Sequence, residues 1–354
     1  MIIIDANIPL LADLLSPYDD VRIVEGRHLR RDDIIDCDAD TLLVRSTTKV
    51  GRTLLDGTNV GFIATATAGM DHMDLSWLST HSIAVASAPG SNAAAVAEYV
   101  VAAMLEWSTL LEGRTIGIVG CGNVGRRIVD HARALGMDVV VNDPPLRDAG
   151  IAMPAPHMEL DELLTIVDVL TVHTPLVVDV PYPTAGLIDA ARLRKLRDEA
   201  LVINAARGGI IDEAALLDDV LRTRRALVLD VFANEPSIDT ALLPHTLVAT
   251  PHVAGHTLNG KYNGARMIGE AWLRWKDLPT DIFLEAVDAV IPKPSVIVDT
   301  DTEALRDHLR VNRPLVEDTA RFVHGMIADP SAATFDRLRN TYPQRAETLV
   351  SINP

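Results

Sequence analysis

The feature that most constrains the fold is a junction: the apolar run Thr115–Val119 passes without a linker into Gly120-Cys121-Gly122-Asn123-Val124-Gly125. A short run of this kind that ends at a glycine turn and continues as a helical pattern is the strand-to-helix corner of a doubly wound parallel sheet. Gly120 permits the tight turn, Gly122 lets backbone approach a pyrophosphate, and Gly125 allows close packing of the following helix, whose first amides favour an anion. The helical period from Val124 to Leu135, the stop at Gly136, the strand Val139–Asn142 and then Asp143 follow in the order of a dinucleotide fingerprint. Asp143 is placed to accept hydrogen bonds from an adenosine ribose. Its charge would repel the extra phosphate of NADP, so the expected cofactor is NAD. The same residue could also cap the turn at Asp143-Pro144-Pro145, and the two roles are compatible.

Three further runs, Leu201–Asn204, Ala226–Asp230 and Leu247–Thr250, read as short strands buried on both faces, each ending in a polar residue. They lead into Ala206-Arg207-Gly208-Gly209, Asn234-Glu235-Pro236 and Thr250-Pro251-His252. One Arg, Glu or His alone usually means solvated surface or a satisfied core contact. An arginine, a carboxylate and an imidazole after successive strands of one parallel sheet fall where ligands bind, beyond the carboxyl ends. The chemistry suits hydride transfer. His252 can take the hydroxyl proton, Glu235 can orient the imidazole and stabilise its charged form, and Arg207 offers a planar fork for a carboxylate.

Composition sets the remaining limits. The chain has 354 residues, 48% of them hydrophobic, enough for two or three domains with real cores. A net charge of −17 disfavours nucleic acid and anionic membranes as partners. It also means that an anionic substrate needs a local positive pocket, for which Arg45, Lys49 and Arg207 are the candidates. The two cysteines, Cys37 and Cys121, form no metal or redox motif, and no metal site is expected. The opening residues lack the charged and apolar regions of a signal peptide, and no run of about 18 apolar residues occurs. The expected location is the cytoplasm.

Apolar segments Met1–Ile4, Val21–Val24, Thr41–Val44, Gly61–Ala64 and Ile83–Ala86 alternate with helical or loop stretches and define a first α/β unit. Within it, Arg45, Ser46 and Thr67 follow strand ends, in loops of small and hydroxyl residues suited either to turns or to anion binding. Two crossing helices, at 92–111 and 258–275, imply that this unit is completed by residues from the far side of the glycine-loop domain. The expected domains are 1–97 with 253–289 for substrate, 98–252 for NAD, and a small module at 290–354. In that module the charged residues read as a solvated face, and self-association is its expected use.

The glycine loop, Ala205-Ala206-Arg207-Gly208-Gly209, Asp230–Pro236 and Pro251–Gly255, in that order, resemble the D-isomer-specific 2-hydroxyacid dehydrogenase family. Leu43–Val50, Ala64–Gly69, Asn142–Pro145, His173–Leu176 and Phe335–Tyr342 are similar to a subgroup acting on a phosphorylated four-carbon 2-hydroxy acid. The resemblance implies two Rossmann-like α/β domains plus a small C-terminal α+β dimerisation domain, an NAD-dependent oxidation, and a homodimer. It further implies NAD contacts at Thr174, Ala205, Ala206, Asp230 and Gly255, beside Gly120, Gly122, Asn123, Val124, Gly125 and Asp143. Substrate contacts carry over to Ser46, Thr67 and position 256, where the subgroup has tyrosine and this chain has His256. A related enzyme for 3-phosphoglycerate or glycerate, or an NADH-sensing interaction protein, are the alternatives that the sequence leaves open. His72 and His173 are read as structural.

Overall fold

A computed structural model describes residues 1–293 and 301–349. The chain divides into two compact units, Met1–Asn92 with Thr257–Lys293, and Ala93–His256 with Pro294–Pro354.

The first unit is built on five parallel strands, β1 (Ile2–Asp5), β2 (Val21–Val24), β3 (Thr41–Val44), β4 (Phe62–Thr65) and β5 (Ala84–Ala86), in the order β2-β1-β3-β4-β5. Residues of β1, β3 and β4 are all buried, as strands covered on both faces must be. The chain builds outward from β1 to β2, then returns to the other side of β1 and continues with β3. The sheet therefore switches direction between β1 and β3, and the crevice beyond that switch point begins at Asp5 and Arg45. The Leu258–Trp275 helix seals one face, burying Ala265, Ile268, Trp272 and Leu273 against Ile2, Ile4, Leu43 and Phe62. Trp272 Nε1 donates to Thr41 Oγ1 at 3.0 Å.

The second unit has six parallel strands: β6 (Thr115–Val119), β7 (Asp138–Asn142), β8 (Val169–Val172), β9 (Leu201–Asn204), β10 (Leu227–Leu229) and β11 (Val248–Ala249). Their order is β11-β10-β9-β8-β6-β7, with the switch point at β6, directly before the glycine loop. Apart from Glu98 and Glu106, the Ala93–Trp107 helix is apolar all round and buried along most of its length, which is why its sequence has no solvent stripe. β10 and β11 are shorter than the apolar runs that announce them; the amides of Asp230 and Thr250 still donate to the neighbouring strands, to the Asn204 and Leu229 carbonyls at 3.0 Å each, while their side chains bond each other.

The described residues of the C-terminal segment form three helices, Thr302–Asn312, Leu315–Ala328 and Ala332–Asn340, followed by irregular chain. Among the described residues the segment also holds one β-bridge position, at Arg345. The expected solvated face is present at Glu303, Asp307, Glu317 and Arg321, which are exposed, but not at Arg313. Arg313 is 3% exposed and its Nε donates to Oε1 of Glu98, itself fully buried, at 2.7 Å. The other Glu98 oxygen accepts from the amides of Thr348 and Leu349 at 2.6 and 2.7 Å. Arg310 pairs with Glu106 in the same way at 2.7 Å. The extra arginines are thus partners for the two glutamates of the Ala93–Trp107 helix. No helix among the described residues is long and apolar enough to cross a membrane.

Candidate active site

The carboxyl ends of β9, β10 and β11 bring the polar trio of the sequence into one place. His252 sits in the left-handed region, with φ of 57°, unusual for a residue with a side chain. The surroundings enforce it: its amide donates to the Asp230 carbonyl at 2.7 Å. Asp230, 1% exposed, spends both carboxylate oxygens on the same turn. Oδ1 accepts from Thr250 Oγ1 at 2.6 Å and the Val253 amide at 2.7 Å, and Oδ2 accepts from the Ala254 amide at 2.9 Å. Tyr99 backs this network from the buried helix, its hydroxyl 2.7 Å from Thr250 Oγ1. Burial raises the Asp230 carboxyl above its ordinary range, against the pull of His252 and these donors.

The imidazole that emerges is oriented by Glu235, whose Oε2 lies 2.7 Å from His252 Nδ1. Glu235 is itself fixed, because Oε1 accepts from the Phe232 amide at 2.8 Å. A carboxylate on Nδ1 selects the tautomer with its proton there and leaves Nε2 with a free lone pair. The loop carrying Arg207 is held against this segment by Gly208, where a Cβ would stand 2.0 Å from the Phe232 carbonyl carbon and oxygen. Asn204 shapes the same loop, donating from Nδ2 to the Arg207 carbonyl at 2.9 Å while Oδ1 accepts from the Ala206 amide at 3.1 Å. One Arg207 amino group donates to the Ala206 carbonyl at 2.8 Å. Arginine, carboxylate and imidazole thus stand on adjoining strand ends, each with a backbone restraint.

Gly208→Ala is expected to push these two loops apart and lower kcat/KM about 10²-fold, the scale of a misplacement near 1 Å. Steady-state kinetics with a far-UV circular dichroism control checks this. Wild-type rates would remove the close approach from the account.

The glycine loop follows β6. Gly120 has φ of +93°, and a Cβ there would stand 2.7 Å from the His173 carbonyl group, so the loop lies against the segment after β8 that carries Thr174. A Cβ on Gly125 would meet the Gly120 oxygen at 2.2 Å, which packs the Asn123–Ala134 helix close to the turn. No side chain caps that helix, and a Cβ on Gly122 would meet nothing within 4 Å. Uncapped amides facing open space are the groups a pyrophosphate would meet. Asp143 Oδ2 accepts from the Cys121 amide at 2.8 Å and Oδ1 from the Leu146 amide at 3.0 Å. The carboxylate therefore caps its turn and clamps the loop, and each oxygen retains acceptor capacity for a ribose hydroxyl. Thr174 Oγ1 is buried without a hydrogen-bond partner. An orphaned buried hydroxyl beside the loop, an uncapped helix start and a carboxylate at the ribose position all fit a bound dinucleotide.

Ala205 and Ala206 lie on the loop after β9, and Gly255 follows the amides held by Asp230. His256 sets its ring edge-on to Tyr342 at 6.3 Å between centroids. Arg45, Ser46 and Thr67 belong to the first unit: Arg45 Nε is 3.2 Å from Asp5 Oδ1, Ser46 is exposed, and the Thr67 hydroxyl is 2.8 Å from that of Thr65 and 3.1 Å from the Gly69 carbonyl. His173 Nε2 lies 2.7 Å from Thr171 Oγ1. Sequence reading missed the supports Tyr99, Asn204 and Glu213, the last accepting from the Ala233 amide at 2.6 Å. Asn204 could have been found as a polar strand end; Tyr99, in an unbroken apolar helix, leaves no signal.

Residues 94–254 match the family model described as D-isomer specific 2-hydroxyacid dehydrogenase, NAD binding domain. Proteins named erythronate-4-phosphate dehydrogenase from Pectobacterium carotovorum and Pseudomonas syringae are 38% and 40% identical, each over 98% of this chain and 92% of their own length. One from Salinibacter ruber is 46% identical over 76% of this chain and 70% of its own. Among solved structures, a D-lactate dehydrogenase from Aquifex aeolicus complexed with NAD and lactic acid superposes with a TM-score of 0.63 at 21% identity, covering 83% of this chain and all of that one.

Proposed function

The chain belongs to the D-isomer-specific 2-hydroxyacid dehydrogenase family, among the erythronate-4-phosphate dehydrogenases, and from this we propose that it oxidises 4-phospho-D-erythronate to (R)-3-hydroxy-2-oxo-4-phosphooxybutanoate with NAD, a step of pyridoxal 5′-phosphate synthesis. The observation that carries the chemistry is the Glu235–His252 contact of 2.7 Å beside the arginine loop. Bound NAD supplies the acceptor for the hydride that leaves C2. His252 Nε2 takes the C2 hydroxyl proton as the carbonyl forms, and Glu235 stabilises the resulting imidazolium. Arg207 holds the substrate carboxylate through its planar fork and polarises the forming carbonyl oxygen. In reduction the same imidazole returns the proton.

For the cofactor, the amides of Asn123, Val124 and Gly125 take the pyrophosphate, with Gly120 and Gly122 giving room. Asp143 takes the ribose, and Thr174, Ala205, Ala206 and Gly255 line the nicotinamide end. Asp230 Oδ2, which accepts one protein hydrogen bond, has a lone pair for the carboxamide. The residues proposed to contact substrate are Arg45, Ser46, Thr67 and His256. An imidazole at 256 can donate to a phosphate as the relatives' tyrosine can. The protein works in the cytoplasm as a homodimer. Exposed Val311, Val316 and Ile327 on the C-terminal helices support an association surface there.

The test is NADH formation with 4-phosphoerythronate, 3-phosphoglycerate and D-glycerate in parallel. A preference of at least tenfold in kcat/KM for 4-phosphoerythronate is expected. Preference for another acid would keep the family and the mechanism but remove the substrate, and NADH binding without turnover of any of them would favour a sensor.

A further inference from the structure

At the switch point of the first unit's sheet, two cations are brought together in a chain whose net charge is −17. Arg45 follows β3. Its Nε is tied to Asp5 Oδ1 at 3.2 Å, and no hydrogen bond from its two terminal amino groups occurs among the described residues. Asp5 is 1% exposed and also accepts from the Asn7 amide at 2.8 Å, so the guanidinium is anchored at its stem with its fork left open.

The second cation comes from the Leu258–Trp275 helix. Gly264 lets that helix approach the loop after β4 so closely that a Cβ would stand 2.4 Å from the Ala66 oxygen. Ala66 in turn is beside the end of β3, its amide donating to the Val44 carbonyl at 2.9 Å. Lys261 lies three residues before Gly264, one turn nearer the helix start on the same face, and is thereby carried toward Arg45. It is half-buried, and no ion pair or side-chain hydrogen bond of its ammonium occurs among the described residues. Burial and then the Arg45 charge both pull Lys261 below its ordinary range. Holding a half-buried, unpaired ammonium beside a guanidinium is unfavourable in the empty protein, and an anion placed between them reverses the sign.

The geometry points to Arg45 and Lys261 as a two-cation clamp for the phosphate of the substrate, with Asp5 as the positioning residue that aims Arg45. This rests on the proposed substrate and adds to it the residue that distinguishes a phosphorylated acid from its unphosphorylated parent.

The experiment compares 4-phosphoerythronate with D-erythronate in wild type, Lys261→Met and Lys261→Arg, with thermal melting to confirm folding. The ratio of kcat/KM for the phosphorylated over the parent acid is expected to fall at least tenfold in Lys261→Met, mainly through KM, and to recover most of that in Lys261→Arg. A ratio unchanged within twofold, or an equal loss on both acids, would overturn the clamp, the latter assigning Lys261 to the carboxylate or to structure. Calorimetric titration with inorganic phosphate separates this from the substrate assignment. If wild type does not oxidise 4-phosphoerythronate, that assignment fails. The clamp then stands or falls on whether Lys261→Met weakens phosphate binding at least tenfold.

Discussion

Replacing His252 with asparagine is expected to lower kcat between about 10²- and 10⁴-fold, the range that a positioned acid–base group contributes, while the affinity for NADH stays within a factor of about three. Asparagine is preferable to alanine because it tolerates the left-handed backbone at φ of 57°, whereas alanine would add a conformational cost unrelated to proton transfer. The variant keeps the turn, whose amides at Val253 and Ala254 are held by Asp230, and loses only the group that accepts the proton. Steady-state rates together with a titration of NADH fluorescence separate the two. A fall of less than tenfold in kcat would show that another group receives the hydroxyl proton and would sink the assignment of His252 as the base.

The second large effect is on stability. Arg313→Ala leaves Glu98, fully buried, without its charged partner. Breaking a buried pair from one side costs about 3–5 kcal/mol, because the remaining charge must be neutralised or the site must open to water. Oε2 of Glu98 would still accept from Thr348 and Leu349, so the lower part of that range is expected. Urea unfolding measures it, and a loss under about 1 kcal/mol would mean that the pair is not what fastens the C-terminal helices. A loss of activity should accompany the loss of stability, since Arg313 also donates to the carbonyl of Ala254, two residues beyond the catalytic imidazole.

Both effects bear on how far the structure could be read beforehand. The trio was legible because each member follows a strand, and strands buried on both faces announce themselves as continuous apolar runs. The glycine loop was legible for the same reason, the turn chemistry being local. Interactions between residues far apart in the chain were not. Glu98 and Arg313 are separated by 215 positions, and nothing in the neighbourhood of either names the other. Arg313 therefore read as surface, by the rule that charged residues in an amphipathic segment face water. Lys261 carries no sequence signal, because its significance depends on how closely a helix approaches a loop, which Gly264 decides and no periodicity reveals. At the ends of β10 and β11, the amides of Asp230 and Thr250 stay bonded to the neighbouring strands while their side chains serve the His252 turn, a use that the apolar runs before them do not announce.

The arrangement around Glu98 also bears on how the chain comes to be folded. The second unit draws its last restraints from 250 positions downstream of Glu98, at Thr348, and the first unit is closed by a helix whose Trp272 bonds Thr41 across 231 positions. Neither unit can complete its core while its early strands alone have emerged from the ribosome. Contacts of such sequence separation make folding slow, and until they form the nascent chain presents unpaired parallel strands to its surroundings. Each core should therefore close only after its late-synthesised contributors, Trp272 for the first unit and Thr348 for the second, have emerged, with chaperone demand greatest before that point.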